Sequence, residues 1–347
     1  MEPQATRSVS DRQALLDAAR AGDEGAFQAI VEAHRRELHV HCYRMLGSLH
    51  DAEDALQETF LRAWRGLSRL EGSDRLRAWL YKIATNVCLS AVARRARRFL
   101  PADHGPPVDP DRHPGEPLAA SVWIEPYPDE RFVLDVDPTA PEARYETREA
   151  VELAFIAALQ HLPPRQRAVL ILRDVLGFSA RQVGELLDAT VASVNSAMQR
   201  ARRVLDERLP DPSQQRVLHQ LGDERIRQLV SRFADAFERG DVELIVEMLV
   251  EDVTFAMPPY PAWYRGRGDV ARSWLIPEEP RLGLRLVPAR ACGQPALGCY
   301  RLDREAGSYL PIALDVLTLR DEHIAGVTAF RTPGLFRHFG LPDRLPA

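Results

Sequence analysis

Three sets of side chains in this sequence have the types and spacing to do chemistry on a macromolecule, and a fourth has the types without the spacing. Asp51, Asp54 and Glu58 recur at helical intervals with Gln57 beside them, and no basic residue interrupts the run before Arg62. A carboxylate face of this kind suits docking on a basic protein surface. Trp79, Tyr81, Lys82 and Asn86 follow on a second helical run that leads into Arg94, Arg95, Arg97 and Arg98. Aromatic rings beside cations suit an anionic polymer whose bases can stack. Ser193, Asn195, Ser196, Gln199, Arg200 and Arg203 fall on one side of a third helix, where they can donate to and accept from base edges and phosphates. The fourth set lies late in the chain. Tyr260, Trp263, Tyr264, Arg265 and His323, with Asp252 and Asp315, could line a cavity and do acid–base work, although no motif fixes their geometry. Taken singly, an acidic helix face is equally a solvated one, and aromatic residues at helical spacing are equally core.

The elements that must position these groups follow from periodicity. Asp11 can cap a short helix carrying Leu15, Leu16 and Ala19, which Gly22 ends. Asp23 starts a longer one with Phe27, Ile30, Val31, His34 and Leu38 inward, running to Gly47. The acidic run lies on an amphipathic helix whose Leu56, Phe60 and Trp64 predict an apolar stripe. The next helix begins near Asp74. From Phe99 to Pro141 the texture changes: ten of the 26 prolines fall there, among many acids. Such a stretch reads as an extended linker. Within it, Val122 to Asp129 is aromatic enough to predict a docking segment held by another domain or by a partner. Helix resumes near Glu142 and runs to about His161. After Pro163 and Pro164 comes a helix closed by Gly177. Ser179 and Gln182 then form a capping box before Val183, Leu186 and Leu187, and a tight turn at Asp188 opens a helix with Val194, Met198, Ala201 and Leu205 inward. Helix, short turn, helix at this spacing is a helix-turn-helix. A second linker, Pro210 to Gln215, precedes two amphipathic helices and five strand-like runs, which fit an α+β cone with one curved antiparallel sheet.

Composition bounds the partners. The chain has 347 residues and a net charge of −5, so nucleic-acid contact must come from local patches rather than from overall basicity. Lys82 is the sole lysine. Cys42, Cys88, Cys292 and Cys299 fall in no ligand spacing, nor do the histidines, so no metal and no cofactor is expected, and the thiols read as free in a reducing cytosol. The polar N-terminus and the absence of a long apolar run predict a cytoplasmic protein without a membrane partner.

Four motifs in order resemble one family: Asp51-Ala-Glu-Asp-Ala-Leu-Gln-Glu-Thr-Phe, Trp79-Leu-Tyr-Lys-Ile-Ala-Thr-Asn, Leu162-Pro-Pro-Arg-Gln-Arg-Ala-Val-Leu, and the helix-turn-helix ending Asn195-Ser-Ala-Met-Gln-Arg-Ala-Arg. They are similar to the extracytoplasmic-function sigma factors of the sigma-70 class, and the last domain resembles the SnoaL-like fold. The resemblance implies two all-α domains, 11–98 (region 2) and 142–209 (region 4), joined by an acidic Pro-rich linker at 99–141 and followed by a SnoaL-like regulatory domain at 223–345. It implies a sigma factor that directs initiation rather than an enzyme. Asp51, Asp54, Gln57 and Glu58 would meet the β′ clamp helices of core RNA polymerase, and the β flap would be a second contact. Trp79, Tyr81, Lys82, Asn86, Arg94, Arg95, Arg97 and Arg98 would engage the −10 element of promoter DNA; Ser193, Asn195, Ser196, Gln199, Arg200 and Arg203 would read the −35 element. The linker would thread polymerase channels, and the third domain would modulate the factor, by packing on the linker or on the helical domains. Basic residues common in the family are replaced by Asn195 and Ala197, which implies weaker phosphate attraction. The alternative is a helix-turn-helix regulator with a ligand-binding or enzymatic third domain.

Overall fold

The computed structural model describes residues 9–70, 72–131, 151–275 and 283–347. The chain forms two compact units. One comprises the residues up to Arg97 together with Ala158–Arg208; the other comprises Arg98–Ala157 and Leu209–Ala347.

The first unit is helical throughout. Its N-terminal part has α1 (Val9–Arg20), α2 (Glu24–Leu46), α3 (Leu49–Gly66) and α4 (Leu76–Val92). Asp23 caps α2 by accepting from the Ala26 amide, and Gly47 ends it at φ 69°. Ser48 caps α3 in the same way. The buried seam of α3 is Ala52, Ala55, Leu56, Thr59 and Ala63 rather than the expected stripe of Leu56, Phe60 and Trp64. Small residues let this helix approach its neighbours closely. Phe60 is left half-buried under the Arg35 guanidinium and Trp64 leans on Phe27, 4.9 Å between ring centroids.

Of the helix expected over 142–161, only α5 (Leu153–Gln160) lies within the described residues. Then come α6 (Pro164–Leu170), which continues as a π turn through Val175, α7 (Ala180–Leu187) and α8 (Val191–Asp206). The capping box at Ser179 and Gln182 is formed in both directions. Asp188, at φ 50°, closes α7, and Thr190 caps α8. The turn comes so near α7 that a methyl group on Gly184 would stand 2.7 Å from the Ala189 carbonyl oxygen.

The second unit is built on one sheet: β1 (Leu249–Ala256), β2 (Trp263–Arg265), β3 (Leu284–Ala291), β4 (Gln294–Asp303), β5 (Ser308–Arg320) and β6 (His323–Phe330), in the order β2-β1-β6-β5-β4-β3, with β7 (Leu345–Pro346) on β5. The pairing departs from the expected all-antiparallel pattern at one place, where β1 runs parallel to β6. The sequence between β1 and β6 holds the rest of the sheet, so the two strands meet by wrapping rather than by a hairpin. Residues 210–215, expected as linker, lead directly into α9 (Gln214–Leu221), whose Gln214 accepts from the Leu319 amide and donates to the Leu319 carbonyl. Then follow α10 (Asp223–Arg239), α11 (Val242–Glu247) and α12 (Arg267–Leu275). Ile226, Val230 and Phe233 of α10 cover the sheet face that carries Leu286, Leu297, Ala313, Leu317 and Ala329. No helix of the described residues is long and apolar enough to cross a membrane, and all four cysteines are buried free thiols.

The Gly184 geometry gives a first prediction. Gly184→Ala should destabilise the first unit by about 1–3 kcal/mol, because backbone stands where the methyl must go. Urea unfolding of both proteins measures this; equal midpoints would show that the turn relaxes freely.

Candidate nucleic-acid interface

The three candidate faces lie on α3, α4 and α8, and the structure treats their members unequally. On α3, Asp54, with His50 one turn before it, is exposed, as is Gln57; Glu58 points outward and accepts from Arg62 at 2.6 Å. Asp51 does not share that face. It is buried, and Arg95 forms an ion pair with it. Exposed i,i+4 pairs such as Glu58 with Arg62 hold little energy and exchange readily. Leu61 is exposed on the same helix.

On α4, Asn86 is exposed and Trp79 half-buried, but Tyr81 is wholly buried. Its hydroxyl donates to Glu37 at 3.1 Å, its ring stands edge-on to His41 and Phe178, and the Arg77 guanidinium lies over both Tyr81 and Phe178. Burial pushes the Tyr81 phenol up. The same burial acts to raise Glu37, yet the hydrogen bond from His34 and the Arg77 charge outweigh it and hold that carboxyl below the usual range. His41 is held down to about 3 by burial and by Arg44, and its Nε2 lies 2.9 Å from the Thr85 hydroxyl. Lys82 reaches α7, donating to the Glu185 carbonyl at 3.1 Å and to Asp188 at 2.9 Å. Thus, of the predicted −10 side chains, Lys82 is engaged by the helix-turn-helix and Tyr81 by Phe178 just before it.

The arginine cluster is divided. Arg94 is exposed, Arg95 pairs with Asp51, and Arg97 bonds to His161. Arg98 is buried and donates to the Ala120 and Trp123 carbonyls at 3.2 and 2.7 Å. There it ties the linker into a loop in which Phe99 bridges Trp123.

On α8 the whole predicted reading set is exposed: Ser193, Asn195, Ser196, Gln199, Arg200 and Arg203. Val194, Met198, Ala201 and Leu205 hold the opposite side down, and Arg202 fastens it with two bonds to Asp174 at 3.0 and 2.8 Å. Ala197 is buried too. A basic residue could not face DNA from there, so that departure from the family pattern bears on packing, not on phosphate attraction.

Sequence reasoning missed Arg167. Its buried guanidinium donates to the carbonyls of Met45, Gln160 and Leu162 and to the Gln160 side chain. Burial brings it down only to about 10, so it stays charged. The Pro-Pro-Arg-Gln-Arg run showed a helix start but gave no sign of which arginine turns inward.

The late aromatic set is only partly gathered. Trp263 and Tyr264 are buried, Tyr264 stacked on Phe255 and Trp263 donating from Nε1 to the Gly105 carbonyl at 2.7 Å. Tyr260 is half-buried below Arg331. Arg265 is exposed, and Asp252 pairs with Arg320. His323 is exposed at the β5–β6 turn, the other end of β6 from Tyr260, roughly 20 Å along the strand. Asp315 sits mid-strand on β5 and is buried.

The docking segment predicted within the linker is held by the third domain. Tyr127 exchanges backbone contacts with Cys292, its carbonyl accepting from the Cys292 amide at 2.7 Å and its own amide donating to Cys292 Sγ at 3.2 Å. Asp129 accepts from Arg290 at 3.0 Å and from the Gly293 amide at 2.7 Å. Further upstream, Val108 and Leu118 donate to the Trp263 and Pro259 carbonyls, each at 2.9 Å. Among the described residues no cluster of His, Cys, Asp or Glu is arranged to hold a metal ion.

Comparison with known proteins places this geometry in a class. Residues 30–98 match the sigma-70 region 2 family and residues 152–205 the sigma-70 region 4 family. The ECF RNA polymerase sigma factor SigG of Mycobacterium tuberculosis is 42% identical over 324 residues, spanning 92% of this chain and 85% of that protein. SigW of Bacillus subtilis, another ECF sigma factor, is 28% identical over 191 residues, 55% of this chain and 92% of its own. The crystal structure of the M. tuberculosis sigma factor SigJ superposes with a TM-score of 0.57 at 23% identity, covering 90% of this chain and 98% of that one, and so shares the fold. The architecture is that of a sigma-70-type initiation factor with a SnoaL-like α+β domain appended. The chain belongs to the extracytoplasmic-function sigma factors of RNA polymerase.

Asp315 supplies a prediction of its own. Burial pushes its carboxyl up to about 7, against the lowering field of Arg331. In the unfolded chain it ionises near its ordinary value of about 4. Between those values the folded state holds the extra proton, so stability is full below about pH 4 and is lost as pH rises through 7. Asp315→Asn should remove that slope, leaving the variant more stable than the parent at about pH 8 by on the order of a few kcal/mol. Chemical unfolding across that pH range measures it; parallel curves for the two proteins would show that Asp315 ionises normally.

Proposed function

We propose that this chain is an alternative sigma factor that acts in the cytoplasm, where it binds core RNA polymerase through Asp54, Gln57 and Glu58 of α3 and directs initiation at −10/−35 promoters. The observation that carries the reading is the pair of exposed faces, acidic on α3 and polar-to-basic on α8, each held out by an apolar seam on the opposite side. Trp79, Lys82, Asn86, Arg94 and Arg97 would capture the unpaired −10 strand once α4 and α7 part. Tyr81 would join them only after the same opening. Asp51 and Arg98 are reassigned to structural work, the one neutralising Arg95, the other fixing the linker loop. The third domain is read as a modulating module that retains the linker, not as an active site. Asp315 and His323, the acid–base candidates, lie far apart on β5 and β6, and Asp252 is tied up by Arg320.

Reversal of charge at Asp54 and Glu58 to lysine should weaken assembly with core polymerase at least tenfold, because like charges would then face each other. The helical content should not change, since neither side chain is buried. Assembly at parental affinity, measured by native electrophoresis or light scattering with purified core enzyme, would exclude α3 as the docking face. For the linker, Asp129→Ala combined with Trp263→Phe removes bonds at both ends of the retained stretch. Run-off transcription by that variant should rise severalfold; unchanged output would mean that linker retention is not a restraint.

A further inference from the structure

The exposed tip of α8 is apolar. Among the described residues, the large apolar side chains that stand exposed are Leu61 and Trp64 on α3 and Val191 on α8. Val191 is the first residue of α8 and is 46% exposed. Rotation of about 100° per residue places it nearest the row of Val194 and Met198, both of which are buried. That row therefore runs on past the buried part of the helix and emerges at its start. Ala192, beside Val191, is exposed as well. Thr190, just before, spends its hydroxyl on the cap, where it accepts from the Ser193 amide at 3.1 Å. The exposed polar set begins only at Ser193, so the first two helical residues present methyl groups and no hydrogen-bonding side chain.

The second helix of a helix-turn-helix enters the major groove with its N-terminal residues against the base edges. Polar side chains read donors and acceptors there, but an aliphatic one has a single favourable partner, the 5-methyl group of thymine. Against an unmethylated cytosine, the same side chain would shield the N4 donor from water and offer it no acceptor. We infer that Val191 is a specificity-determining residue of promoter choice: at the start of α8 it contacts the 5-methyl group of a pyrimidine in the −35 element. Thymine is selected at that base pair. 5-Methylcytosine, which carries the same methyl group at the same place, is preferred there over cytosine. This role rests on the proposed placement of α8 at the −35 element.

The test uses holoenzyme assembled from the full chain and core polymerase, with duplex promoter fragments that the parental holoenzyme recovers from a pool randomised over both promoter elements. In a recovered fragment each thymine of the upstream element, on either strand, is replaced in turn by deoxyuridine, which pairs alike and lacks only the methyl group. Affinity is measured by competition at one fixed salt concentration. Parental holoenzyme should lose roughly fourfold at one thymine, the effect of one buried methyl group. A cytosine–guanine pair placed there should gain a similar factor on 5-methylation of the cytosine. Val191→Ala should abolish both differences, and Val191→Ile should keep them. A parental scan with no methyl-dependent position, or a dependence that survives in Val191→Ala, would overturn the role of Val191. Arg200→Ala separates that failure from a failure of the α8 placement itself. If Arg200→Ala loses about tenfold in affinity while deoxyuridine has no effect, α8 reads the element and only Val191 is misassigned. If neither change has an effect, α8 does not read the element and both assignments fall.

Discussion

The helical unit depends on how one buried cation is satisfied. Among the described residues Arg167 pairs with no carboxylate; its two terminal nitrogens are met by the carbonyls of Met45, Gln160 and Leu162 and by the Gln160 side chain, while Nε finds no partner there. A charge removed from water without such partners would cost several kcal/mol, so the positions of α2, α5 and α6 are mutually fixed by the need to supply acceptors. Cys42 and Cys88 lie nearby, and the hydrogen bond with Cys42 and burial raise the Cys88 thiol well above its ordinary value, against the lowering charge of Arg167. A thiol so held is inert packing, not a reactive centre. The geometry that presents α4 and α8 therefore rests on an interaction that touches neither polymerase nor DNA.

The two faces proposed to meet the promoter are not equally available. The proposed reading set of α8 is exposed, whereas α4 spends Tyr81 and Lys82 on α7 and its approach. The Lys82–Asp188 pair is exposed and contributes little by itself. The Tyr81–Phe178 contact, with Arg77 lying over both rings, is buried and carries most of the association. Separation of α4 from α7 must therefore expose an aromatic pair to water. Under the proposed role of Tyr81, unpaired bases stacked on the freed ring would recover part of that loss and would couple promoter melting to opening of the factor.

The sequence made the element types and their order legible wherever a face is either wet or dry. Val194, Met198, Ala201 and Leu205 fix the orientation of α8, and once they face inward Ser193, Asn195 and Arg200 have nowhere to go but out. The same logic misplaced Trp64, because α3 uses the small residues Ala52, Ala55 and Ala63 for close approach, and small residues carry weak hydrophobic signal. Asp51 and Asp54 look alike in sequence; in the fold Asp51 is buried and pairs with Arg95 from beyond the end of α4, whereas Asp54 is exposed. The parallel meeting of β1 with β6 was illegible for a related reason. Alternation identifies a strand and its buried face, but not which distant edge it joins.

The retained linker shows how weak terms act together. A proline-rich segment has no periodic face and cannot form a core, yet it loses little entropy on being fixed in an extended path. Here Tyr127 and Asp129 fasten it to the β3–β4 turn, where Cys292 adopts φ 57° to present both its amide and its sulfur. Val108, Leu118 and Trp263 fasten it again at the far edge of the sheet. Each bond contributes only about 1 kcal/mol, so no single one holds the segment, but each raises the effective concentration of the next. A competitor for the linker would have to displace these attachments in sequence from one end.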